Sequence, residues 1–80
     1  MQYSEIVSER IMQYCKEKDI TINKLATLSG MKQSTIDNIV KCNTKNPSIR
    51  SLHRIAQGLD ITVSEFLDFP KMNETIFDEE

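Results

Sequence analysis

The feature that most constrains this chain is one glycine, Gly30, set between two short segments with helical periodicity. Leu25, Ala26 and Leu28 supply the apolar side of the segment before it. Met31, Ile36, Ile39 and Val40 do so after it. Each segment is about eight residues long. A glycine between them permits a positive φ and a sharp turn, so the pattern predicts two separate helices joined almost without a loop. Ala26, four residues before the glycine, is small enough for the two helices to cross closely there.

The rest of the chain repeats that helical pattern. A first helix is expected from about Ser4 to Lys18, with Ile6, Val7, Ile11, Tyr14 and Cys15 on one face. Thr21 is placed to cap the second helix, with Ile20 and Leu25 at the spacing of a hydrophobic staple. The third runs from about Gln33 to Lys41, and Lys32 is a poor residue for its N-cap. A polar loop, CNTKNP, follows, and Asn43 is the residue suited to a left-handed conformation at the helix end. Pro47-Ser48 opens a fourth helix that carries Ile49, Leu52, Ile55, Ala56 and Leu59, with Gly58 and Asp60 as stop residues. Thr62-Val63-Ser64-Glu65 is a capping box, flanked by Ile61 and Phe66, and predicts a short fifth helix over Val63 to Leu67. No strand pattern and no internal repeat occurs. The expectation is an all-α, compact five-helix domain over residues 1–68, followed by an acidic tail over 69–80.

Eighty residues allow one domain. No apolar run approaches the roughly 18 residues needed to cross a bilayer. The N-terminus lacks a basic stretch followed by an apolar one, so a cytoplasmic location is expected. Cys15 and Cys42 have no CxxC partner and His53 is the sole histidine, which argues against a metal site and for two free thiols. The net charge of −2 conceals an asymmetry. Residues 20–58 hold six basic groups (Lys24, Lys32, Lys41, Lys45, Arg50, Arg54) against Asp37, net +5. Residues 59–80 are net −6 and residues 1–19 net −1. A basic middle between acidic ends is a local electrostatic footprint, and local potential governs association more than net charge does.

Two short helices around a glycine turn have helix-turn-helix geometry. The second of them projects a polar face of Gln33, Ser34, Asp37, Asn38 and Lys41, with Thr35 near its edge. By itself such a face is as readily a solvated surface. The ordered series Ile20-Thr21, Leu25-Ala26, Ser29-Gly30-Met31, Ile36, Ile39, Pro47-Ser48, Leu52, Ile55-Ala56, Leu59 and Ile61-Thr62 resembles the lambda-repressor-like (Cro/Xre-type) helix-turn-helix family. The resemblance spans roughly residues 4–68. It implies a five-helix domain that binds operator DNA as a dimer, with the third helix in the major groove. Gln33, Ser34, Thr35 and Asn38 are then the base-reading candidates, the two amides suiting adenine and Thr35 suiting a thymine methyl or else a phosphate. Thr21 and Asn23 would lie near phosphates at the start of the second helix, and Lys32, Lys41, Asn43, Thr44 and Lys45 around the ends of the third. Two departures stand out. Ile22 occupies a position where the family often has a phosphate-clamping Gln, and Asp37 puts a carboxylate on the face unless it pairs with Lys41 or accepts from a cytosine amine.

Outside that face, Arg10 and Arg54 are expected as internal braces in preference to phosphate contacts, Arg10 meeting an acid such as Glu65. His53 reads as a surface residue, and Tyr14 and Phe66 as core. In the tail, Phe69, Met72, Ile76 and Phe77 leave three options open: a frayed terminus, a dimerisation patch, or an acidic end that folds over the basic face. No nucleophile–base pair, glycine-rich phosphate loop or metal cluster suggests catalysis, and no cofactor or small-molecule ligand is expected. The reading is a non-enzymatic, sequence-specific double-stranded DNA-binding regulator, a homodimeric repressor on a palindromic operator. The alternatives are a protein-interaction module or antitoxin-type adaptor on the same scaffold, a piece of a longer regulator, and a helical appendage of an enzyme.

Overall fold

A computed structural model describes residues 3–74 and contains helices only: α1 (Tyr3–Lys18), α2 (Ile22–Ser29), α3 (Gln33–Val40), α4 (Ile49–Gly58), α5 (Val63–Leu67) and α6 (Pro70–Glu74). The five expected helices are present, and a sixth of one turn follows Pro70. Helices of eight residues are marginal in water alone. Here they are held by packing of α2 on α4 and α3, α1 on α3, and α4 on α5. The side chains at the centre are Ile6, Val7, Ile11, Leu25, Ile36, Ile39, Leu52, Ile55, Leu59 and Phe66, all essentially inaccessible. Tyr14 and Phe66 stack at 6.2 Å between ring centroids.

Two expected core residues are not in the core. Leu28 is 48% exposed and Ile49 66% exposed. In α2 the inward row is Ile22, Leu25, Ala26 and Ser29, at i, i+3, i+4 and i+7, and Leu28 falls off it. In α4 the inward row is Leu52, Ile55, Ala56 and Leu59, and Ile49 sits in the first turn, outside it.

The helix starts follow the sequence closely. Thr21 Oγ1 accepts from the Lys24 N–H at 3.0 Å, Ser48 Oγ from Ser51 N–H at 3.1 Å, and Thr62 Oγ1 from Glu65 N–H at 3.0 Å. Lys32 at the N-cap of α3 makes no such bond. The ends of α1 to α4 share one geometry. Each closes with a residue at positive φ: Asp19, Gly30, Cys42 and Asp60. At each, that residue and the next donate N–H groups back to carbonyls of the last turn, as Gly30 does to Thr27 (3.2 Å) and Met31 to Ala26 (3.0 Å).

Only the α2 end uses glycine. The left-handed residue after α3 is Cys42, not Asn43. The reason is register: Ser8 Oγ on α1 donates to the Val40 carbonyl at 2.6 Å, and Ile39 is buried, so α3 ends at Val40 and the closing position falls on Cys42.

Gly58 is the last residue of α4 rather than its stop; Asp60 takes the left-handed conformation. The glycine is needed for a close approach. A Cβ there would lie 3.0 Å from Ser29 N and 3.1 Å from Ser29 Cα, and would collide with Ser29 Oγ. That hydroxyl is buried without a hydrogen-bond partner. The tightest α2–α4 contact involving a glycine is thus at the ends of the two helices.

Arg10 is a brace, but not through a carboxylate. Its Nε donates to the Phe66 carbonyl and Nη2 to the Glu65 carbonyl, both at 2.9 Å. Nη2 also reaches Tyr14 Oη at 3.1 Å, and the guanidinium lies over the Tyr14 and Phe69 rings at 4.6 and 4.7 Å. A cation on the last carbonyls of α5 suits the negative end of that helix. Phe69 is buried, Met72 packs against the core, and Lys71 Nζ meets Glu9 Oε2 at 2.7 Å. Ile76 and Phe77 lie outside the described residues.

Candidate nucleic-acid interface

The face of interest is built on α3. Successive helical residues turn about 100°, so burial of Ile36 and Ile39 turns Ser34, Asn38 and Lys41 directly outward. Gln33 and Thr35 fall on opposite edges, and all five side chains are exposed. Asp37 is half-buried. It forms no ion pair with Lys41; among the described residues the ion pair shown is Lys71–Glu9.

The loop after α3 folds back on it. Asn43 and Thr44 donate their N–H groups to the Asn38 carbonyl at 2.8 and 3.2 Å, and the Asn43 side-chain amide makes a long 3.5 Å contact with Asn38 Oδ1. Asn43 and Lys45 are exposed and Thr44 half-buried. At the start of α2, Thr21 and Asn23 are exposed, and Ile22 packs against the core. The Thr21 hydroxyl oxygen accepts a backbone N–H as a cap, which leaves its proton free to donate outward.

Two features give this region its electrostatic character. The first turns of α2, α3 and α4 contain no acid, whereas α1 and α5 have Glu5 and Glu65 in theirs. The positive ends of those three helices are therefore not neutralised locally. Moreover, none of Lys24, Lys32, Lys41, Lys45, Arg50 and Arg54 has a side-chain partner among the described residues. Arg54, expected as a brace, is exposed. With Arg50 and Ser51 it borders an open cleft of about 450 Å³ against Lys32, Thr35 and the Gly30 turn. Sequence reasoning named Lys32 and Thr35 but did not join Arg50, Ser51 and Arg54 to them. The available signal was the pair of arginines four apart on the polar side of α4.

The profile of the Cro/C1-type HTH DNA-binding domain matches residues 10–72. The chain belongs to that family. It is similar to the HTH-type transcriptional regulator SinR of Bacillus subtilis (strain 168), 34% identical over 73 residues, which is 91% of this chain and 64% of SinR. The chain thus spans less than two thirds of that relative. Among solved structures it resembles prophage Lp1 protein 11, with a TM-score of 0.82, 37% identity and coverage of 94% of this chain and 100% of the other. It also resembles SinR solved in complex with DNA, with a TM-score of 0.68, 35% identity and coverage of 78% and 98%. Family members of this kind are transcriptional regulators, and no helix among the described residues is long and apolar enough to cross a membrane.

Proposed function

We propose that this chain is a cytoplasmic, non-enzymatic regulator that reads duplex DNA as a homodimer on a palindromic operator and represses transcription there. The observation that carries the reading is the outward face of α3, with Ser34 and Asn38 at its centre and Gln33 and Thr35 at its edges, set among six cations without partners among the described residues. Its amides match adenine in the major groove, and the cations match phosphates. SinR, its relative, has been solved on DNA, which supports the same use of the fold here.

Selection from a random duplex library near physiological salt tests the reading. A palindromic motif with half-sites about one helical turn apart is expected. Absence of any enriched motif would sink it and turn attention to a protein partner. Gln33→Ala and Asn38→Ala should each relax preference at defined bases, at a cost of about 1–3 kcal/mol. Equal losses on all sequences would remove those side chains from base reading.

A further inference from the structure

We propose that the cleft between the helix-turn-helix and α4 is a phosphodiester-binding site, in which Arg50, Ser51 and Arg54 join Lys32 and Thr35 to hold one DNA strand beside the α3 face. The proposal rests on the DNA-binding reading above and deepens it.

The placement of the three cations is the starting point. Arg50 and Arg54 are four apart on α4, the spacing at which like charges repel across a helix surface. Arg50 lies in the first turn of α4, and Lys32 occupies the N-cap of α3 without capping it. Both positions put a cation at the positive end of a helix. All three are unfavourable for the isolated domain, and all three line the same open cleft. Among the described residues no acid pairs with any of them. A bound anion reverses each of these penalties at once.

The hydroxyls complete the chemistry. Ser48 Oγ donates to Ser51 Oγ at 3.0 Å, so the Ser51 proton is left for an acceptor in the cleft. Thr35 faces the cleft because it stands about 200° around α3 from Gln33 and about 100° from Ser34. Of the two contacts the sequence left open for it, that position favours the phosphate over the thymine methyl. The cleft is continuous with the α3 face through this residue, which is why the anion assigned here is a DNA phosphate and not a free one. Guanidinium groups can grip phosphate oxygens bidentately, which a lysine pair could not.

The test is the salt dependence of duplex binding, measured by fluorescence anisotropy on the selected operator and on a scrambled duplex. Arg50→Gln and Arg54→Gln should each flatten the slope of log affinity against log salt by about 0.9, and the double variant by about 1.8. The ratio of operator to scrambled affinity should stay as in the parent. Thr35→Val should lose about tenfold on both duplexes alike. Thermal melts should be unchanged or slightly raised for the arginine variants, whose side chains are exposed and whose mutual repulsion is relieved. A parental slope in the double variant overturns the proposal, as does a Thr35→Val loss confined to one base position. The first of these is also what an acidic-peptide site would give. A parent chain that shows no sequence preference while the slopes still fall upholds the cleft and sinks the operator reading. A parent chain that binds neither duplex overturns both.

Discussion

Two cationic regions of this molecule are used in opposite ways. Where α1 meets α5 and α6, two cations are consumed by the fold: Arg10 holds two carbonyls of α5 and lies over two rings, and Lys71 pairs with Glu9. Around α2, α3 and α4, six cations have no such partners among the described residues, and the helix starts lack acids. A side chain engaged internally stabilises the domain and is unavailable to a ligand. One left unpaired contributes little to stability and keeps its charge for association. Charge alone therefore does not distinguish a cation that braces the fold from one that remains available to a ligand; its internal partners do.

Breaking the first region should cost stability without touching DNA. Arg10→Ala removes hydrogen bonds from a charged donor to one partly buried and one exposed carbonyl, and a loss of about 2–3 kcal/mol is expected in denaturant melts. Its salt slope on DNA should match the parent. A changed slope would place Arg10 among the phosphate contacts and dissolve the contrast.

Gly58→Ala probes the scaffold beneath the second region. The added methyl meets Ser29 backbone at 3.0 Å, and about 1–2 kcal/mol of destabilisation is expected from overpacking. A neutral result would mean that the ends of α2 and α4 separate readily. On the proposed DNA-binding face, Lys45→Ala should leave the melt within about 0.5 kcal/mol. It should weaken all duplexes uniformly and reduce the salt slope by about one. A measurable loss of stability would give this lysine an internal role and blur the distinction. The smallest effect is expected from Lys71→Ala. Its pair with Glu9 is half-exposed on both sides, so no more than about 0.5 kcal/mol should be lost.

The two thiols differ in the same spirit. Cys15 is buried in the core, and burial pushes its thiol up from the ordinary range, whereas Cys42 is half-exposed at the end of α3. Alkylation of the folded protein should therefore start at Cys42.

How legible the molecule was in its sequence depended on the distance over which each signal acts. Thr21, Ser48 and Thr62 cap helices by bonding a backbone N–H three residues on, and Gly30 takes its left-handed turn within one step of the chain. Such local chemistry is written in order along the sequence, so the helices, the tight turn and the outward face of α3 could be read directly. Other features depend on residues far apart. Cys42 rather than Asn43 closes α3 because Ser8 holds Val40 from 32 residues away. Gly58 is glycine because of Ser29. Arg10 finds carbonyls 55 and 56 residues away, not the Glu65 carboxylate. Leu28 and Ile49 are apolar yet exposed, since packing chose other rows of their helices. The sequence by itself thus determined where helices begin, most of their apolar faces and which surface is basic. Only the tertiary structure decided which cations are spent on the fold and which remain free, because that choice is made by neighbours brought together across the core.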